Sequence, residues 1–403
     1  MVIRISNNEV MHYLIVAYFM VCLVPIGAGG LSINYSYLLY PIILLLTNKL
    51  LKPPPIVNFS IIVFLVIGAI AFVFDLDNQS LYFRRFASFI IFISIYSYAY
   101  TPVSKKMIEA FKLSIILISL IYSFISIFKL ATSGLSDLFE LKNIIGSQRY
   151  GFVYLTAMVL LSFQLYQTNK NRSLLLSCLI IIFFGLILSL SRSSIASLII
   201  LVILFFLRSI FNSRFYNLKT ISLIIFIISS LSLAVYIYIP DTVEFYITTL
   251  ITPLFNDQLA QQLSNTGSSE GIRLVRINEV IDYVVTNPLF GSGYLGIWAI
   301  SETGSGSAHN QLVDTLLRVG FIGFFVYLYF GILLLKFLFL NYYDLFWSLI
   351  GILIYGLFHE TFKDSQGAFI LTFLIGMYSN HFRSKYNQKS SISKKEFSTN
   401  EIK

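Results

Sequence analysis

The sequence predicts an all-α integral membrane protein with about twelve spanning helices and one long extracytoplasmic loop carrying short helices. Three observations predict it. First, 57% of the 403 residues are hydrophobic and 12% charged, with a mean hydropathy of +0.80. A soluble domain carries roughly 25% charged residues, so this chain cannot cover a water-exposed surface and lipid must be its solvent. Second, apolar runs near the spanning length of about 20 residues follow one another along the chain. Third, the basic residues lie in the short links between those runs and at the C-terminal end.

The runs fall at 11–27, 34–50, 56–74, 86–101, 110–131, 151–167, 173–190, 194–211, 219–239, 311–338, 343–358 and 366–381. The first has no small-residue cleavage site and is read as a span, not a signal peptide. Gly29-Gly30 and Pro53-Pro54-Pro55 separate early runs, and no repeat of 20–50 residues is seen. With both ends inside, 18 of the 28 Lys and Arg fall on cytoplasmic segments, as the positive-inside rule requires. Arg84 and Arg85 are exceptions, balanced in part by Asp75 and Asp77. The net charge of +9 therefore reports topology, and a nucleic-acid partner is rejected. Cys22 and Cys178 lie inside apolar runs, so no disulfide framework is expected.

This divides the chain into spans one to nine (1–239), an extracytoplasmic loop (240–310), spans ten to twelve (311–381) and a basic, disordered cytoplasmic tail (382–403). The loop is polar and rich in Gly and Ser. Within it, Glu270 to Val285 reads as an amphipathic helix with Leu274, Ile277, Ile281 and Val284 on one face and Arg273 and Arg276 on another. Asn287-Pro288 ends that helix, and Gly291-Ser292-Gly293 makes a tight turn.

Charge beside a membrane is costly, so each outward ionisable residue is a candidate for function. Arg192, in Ser191-Arg192-Ser193-Ser194 between two apolar runs, is either a snorkelling interfacial arginine or a planar fork for phosphate oxygens. Arg273 and Arg276 are either a solvated face paired with Glu270 and Glu279 or anion ligands. Arg149, ahead of a span, reads as an interface anchor or an anion ligand. His309, at a helix start by the membrane edge, is either structural or a general base for a hydroxyl, and Asn310 is placed to orient the acceptor. Gly320 and Gly323 permit close helix packing. Asp314 and Arg318 are one turn apart and placed to pair. His359-Glu360, with Lys363 and Asp364, forms an outer cluster whose spacing is no metal motif. Tyr246, Tyr294 and Trp298 suit either sugar stacking or the interfacial belt. Without a GK[ST] phosphate loop or an Asp-rich motif, ATP-driven transport and a bound divalent metal are not expected.

Taken in order, these pieces resemble the O-antigen ligase and O-antigen polymerase superfamily from about Arg149 to Gly323. The resemblance rests on Ser191-Arg192-Ser193, Gly271-Ile272-Arg273, Asn287-Pro288-Leu289-Phe290-Gly291-Ser292-Gly293, His309-Asn310-Gln311-Leu312 and Arg318-Val319-Gly320-Phe321-Ile322-Gly323. It implies a GT-C-like, metal-independent glycosyltransferase in the bacterial inner membrane with its site on the periplasmic side. No cofactor is implied. The donor would be an oligosaccharide on undecaprenyl pyrophosphate. Arg192 and Arg273 would hold the pyrophosphate, with Arg149 and Arg276 as further ligands, and His309 would be the base. Membrane lipid, a chain-length regulator and a flippase are the implied partners.

Within the superfamily the Phe- and Ile-rich composition resembles polymerases, and Gln311 stands where the ligases resembled carry an acid. A ligase acting on lipid A-core is the alternative. A transporter of the same lipids is the competing class, but transporters place charge near the midplane, and here the middles of the runs are nearly free of it.

Overall fold

The computed structural model describes residues 7–24, 55–74, 103–145, 147–168, 170–189, 191–211, 269–293, 295–300, 309–362 and 365–400. Among these residues the protein is helical, with no strand. The helices are α1 (Asn7–Leu23), α2 (Pro55–Phe74), α3 (Lys105–Ile145), α4 (Ser147–Gln167), α5 (Arg172–Leu188), α6 (Arg192–Phe211), α7 (Ser269–Thr286), α8 (Gln311–Asn341), α9 (Tyr343–Gly356) and α10 (Ser365–Asn400). A 3₁₀ turn spans Gly296–Ala299. Lys105–Thr132 of α3 and Gln311–Asn341 of α8 are long and apolar enough to cross a membrane, and five shorter apolar helices accompany them. The expected runs 34–50, 86–101 and 219–239, and most of the expected loop, lie outside the described residues.

The bundle is held by aromatic and aliphatic side chains. Phe19, Phe111, Phe369 and Phe373 join α1, α3 and α10, with Phe111 stacked on Phe373 at 4.1 Å. Offset aromatic pairs add about 0.5–1.5 kcal/mol each beyond the area they bury. Helix α4 packs against α3, α5 and α9, and α8 against α2, α7 and α9.

The two ends of α9 mark the two ends of this bundle. At its start, Lys112 of α3 pairs with Asp344. Beside them, the Arg208 guanidinium lies 4.7 Å from the Phe339 ring and 4.9 Å from that of Tyr343. The topology read from the sequence puts both cations inside. At the other end of α9, roughly 20 Å away for a helix of this length, lie His359 and the start of α8.

Three elements differ from expectation. In α7 the buried stripe is Val280 and Val284, packed with Ile297 and Leu317, while Ile281 is half exposed. Val284 keeps its expected place in the stripe, while Val280 takes that of Ile281 where α7 packs on α8. Helix α10 continues through Asn400, where a disordered tail was expected; no Gly or Pro stands between Met377 and Asn400 to stop it.

Gly320 is the third. It is a break in α8, at φ 60° and ψ −169°, a backbone region essentially restricted to glycine. The groups the break frees are taken up by the turn after α7. The Ser292 N–H donates to the Leu317 carbonyl (2.7 Å), and the N–H groups of Phe321 and Ile322 donate to the Pro288 (2.8 Å) and Leu289 (3.3 Å) carbonyls. A Cβ at Gly291 or Gly320 would overlap the opposing backbone. The two glycine motifs are thus halves of one joint that fixes α7 against α8. Gly323 plays the packing role expected of it, against Ile67 of α2.

Candidate functional site at the start of α8

His309 is the residue before the cap of α8 and holds a positive φ of 53°, which is uncommon for a residue with a Cβ. Asn310 explains how it is held. Its side-chain oxygen accepts from the N–H groups of Leu312 (2.9 Å) and Val313 (3.1 Å), the arrangement of an N-cap. Its Nδ2 donates to the Leu357 carbonyl at 3.0 Å. The amide therefore caps α8 and straps it to the segment after α9. Gln311 adds a second strap, because its Oε1 accepts from the Phe362 N–H at 2.8 Å and its Nε2 donates to Thr315 Oγ1 at 3.0 Å.

These straps bring the 357–362 segment to His309. The His359 ring lies edge-on to His309, centroids 6.1 Å apart, and stacks on Tyr355 at 5.1 Å. Tyr355 is fully buried. A Cβ at Gly151 of α4 would meet both Tyr355 and Ser194 of α6. The contacts thus run from α6 through Gly151, Tyr355 and His359 to His309. Arg149 stands two residues before Gly151, and Arg192 two residues before Ser194, so their backbones come to the same end of the bundle.

The side chains of Arg149, Arg192 and Arg273 lie outside the described residues, as do those of Tyr246, Tyr294 and Trp298. Helix α6 starts at Arg192 itself. Ser194 Oγ bonds Ser191 Oγ at 2.7 Å, and Ser191, Ser193, Ser194 and Ser197 are buried. The Ser-Arg-Ser turn is therefore a polar, closely packed helix entry. Arg273 is one turn before Arg276 on α7. Arg276 donates to Glu279 at 2.9 Å, one of the local pairings read from the sequence.

Asp314 and Arg318 pair as their spacing suggested, Nε to Oδ2 at 2.6 Å, with side chains 3% and 9% exposed. An ion pair so deeply placed survives because each charge compensates the other where water cannot. His359 is the site residue whose position the sequence concealed. Nothing periodic links it to His309, fifty residues away in the chain, and only the turn after α9 brings them together. Glu360, next to it, is 6% exposed.

Chemically, this end of the bundle offers a fixed imidazole at a helix N-terminus, a second imidazole against it, and the first turns of α4 and α6, in which residues 149 and 192 are arginines. A helix N-terminus and arginines both favour an anion.

No curated protein matches the chain. Residues 177–328 match the family described as O-antigen ligase. That segment takes in Arg192, Arg273, Arg276, His309, Asn310 and the Gly291–Gly320 joint, while Arg149 and His359 fall outside it. Over this segment the chain is similar to the O-antigen ligase family, which supports the superfamily resemblance seen in the sequence.

Proposed function

We propose that the protein is a polysaccharide repeat-unit polymerase acting on the periplasmic side of the bacterial inner membrane. It transfers the growing glycan from undecaprenyl pyrophosphate to a hydroxyl of an incoming lipid-linked repeat unit, for O-antigen or capsule. The observation that carries this reading is His309, held at positive φ by the Asn310 cap, inside the segment that matches the O-antigen ligase family.

The His309 imidazole takes the proton of the acceptor hydroxyl as that oxygen attacks the anomeric carbon. The bond from that carbon to the pyrophosphate oxygen breaks, and the electron pair leaves with the lipid pyrophosphate. Arg192 and Arg273 neutralise the developing charge, with Arg149 and Arg276 as further ligands. Polyprenyl pyrophosphate is already a good leaving group, so cationic forks suffice and neither nucleotide nor metal is called for. The remaining barrier is positioning and proton removal.

The description of the matched family favours a second reading, a ligase that moves finished glycan onto lipid A-core. Gene deletion separates the two. One repeat unit on lipid A-core after deletion means that a polymerase was lost. Bare core with lipid-linked polymer accumulating means that a ligase was lost. Undiminished surface polymer overturns both.

A further inference from the structure

At the end of the bundle away from His309, Arg208 stands in the last turn of α6. Its guanidinium lies over three rings of α8 and α9, at 4.7 Å from the centroid of Phe339, 4.9 Å from that of Tyr343 and 5.8 Å from that of Trp347. Ring faces attract a cation, but they supply no oxygen to the five N–H donors of a guanidinium. Asp344, the acid in the first turn of α9, is taken by Lys112. Among the described residues Arg208 therefore has no oxygen partner. Trp347 is 5% exposed and its Nε1–H has no acceptor, although a buried indole N–H usually finds one. This corner of the bundle holds donors and lacks an acceptor.

The surroundings indicate which acceptor fits. Leu204, one turn before Arg208, is 39% exposed, and Phe205 and Phe339 beside it are 38% and 40% exposed. Among the described residues, then, apolar surface flanks the guanidinium, at the level where the topology read from the sequence places the cytoplasmic leaflet. A soluble anion would leave that surface uncovered. A phospholipid covers it, with its phosphate oxygens on the planar fork and its acyl chains along Leu204, Phe205 and Phe339. The three rings hold the guanidinium in place beforehand, which lowers the ordering cost of binding. Phosphatidylglycerol brings an uncompensated negative charge, whereas the choline of phosphatidylcholine offsets its own phosphate.

We propose that Arg208, held by Phe339, Tyr343 and Trp347, binds the phosphate of an anionic phospholipid of the cytoplasmic leaflet. The site lies at the opposite end of α9 from His309. It rests on the membrane reading of the chain and is independent of the transferase reading.

The test uses the full-length protein carrying Trp298→Phe, which leaves Trp347 as its one tryptophan, in phosphatidylcholine nanodiscs. Phosphatidylglycerol or phosphatidylcholine brominated near the carboxyl end of its acyl chains is included at rising mole fraction, and quenching of Trp347 fluorescence is read. Brominated phosphatidylglycerol should reach half-quenching at about a tenfold lower mole fraction than brominated phosphatidylcholine, the ratio for one charge-assisted hydrogen bond. Arg208→Gln should bring the two lipids together. Lys106→Gln, which removes an exposed cation of α3, should leave the ratio unchanged, and inorganic phosphate should not reverse the quenching. Equal quenching by the two lipids in the protein with Arg208 intact overturns the proposal without recourse to any variant at that position. It is also overturned by an Arg208→Gln protein that keeps the ratio, by a Lys106→Gln protein that loses it, which would mark a general surface-charge effect, or by reversal with inorganic phosphate, which would mark a site for a soluble anion.

Discussion

Replacing Asn310 with Ala removes two kinds of restraint from His309. The cap loses both bonds to the Leu312 and Val313 N–H groups, worth about 1 kcal/mol for a cap of this kind. The strap to the Leu357 carbonyl is lost too, at about 1 kcal/mol for one net hydrogen bond. If both act on the alignment of His309, roughly 2 kcal/mol is about a 30-fold loss of turnover. Asn310→Asp keeps the cap and loses only the donor to Leu357, so it should cost about fivefold, half of that energy. The assay is turnover on purified lipid-linked donor, with hydrogen exchange at the Leu312 and Val313 amides as the structural readout. In Asn310→Ala those amides should lose protection while KM changes little. Turnover within about twofold of wild type, with both amides still protected, would refute the claim that this side chain fixes the site.

The joint between α7 and α8 should be as demanding. Gly320→Ala puts a Cβ into the Leu289 carbonyl at a glycine-only φ/ψ, and should destabilise by about 3 kcal/mol; an unchanged melting temperature in detergent would contradict the joint. For the buried pair, Arg318→Met alone should cost about 3–5 kcal/mol, whereas Asp314→Leu with Arg318→Met should recover most of it. Equal melting temperatures for single and double variants would show that the two charges are not coupled. His359→Ala should slow turnover about 3- to 10-fold by removing the ring behind His309, and His359→Phe should restore it; a Phe variant no better than Ala would remove the ring's positioning role.

Hydropathy and local spacing carried much of this structure in the sequence. The apolar runs within the described residues fall on helices, and Asp314 with Arg318 was legible because four residues is one helical turn. The Gly-Ser-Gly turn was legible as a turn, but its purpose was not, because its partner is a helix break 29 residues on, at Gly320. Gly320 itself looks like a packing glycine in sequence, since both roles need the missing Cβ. Of the α7 stripe, Val284 was placed correctly and Ile281 was not, because isoleucine and valine stand side by side at 280 and 281 and only the surface of α8 decides between them. Asn310 was read as an acceptor-orienting group; in the structure its amide caps a helix and straps it to the segment after α9. His359 lay beyond reach of any periodicity, since it meets His309 only through tertiary contacts. The tail was expected to be disordered from its polarity, but α10 carries on through it without a Gly or Pro to break it.

Everything functional here turns on His309 as the group that removes the acceptor proton. The direct measurement is chain extension by His309→Ala, expressed at wild-type level in the membrane of a deletion strain. The account predicts a surface profile with no polymer beyond that of the deletion strain itself. Polymer of full length from that variant would contradict it.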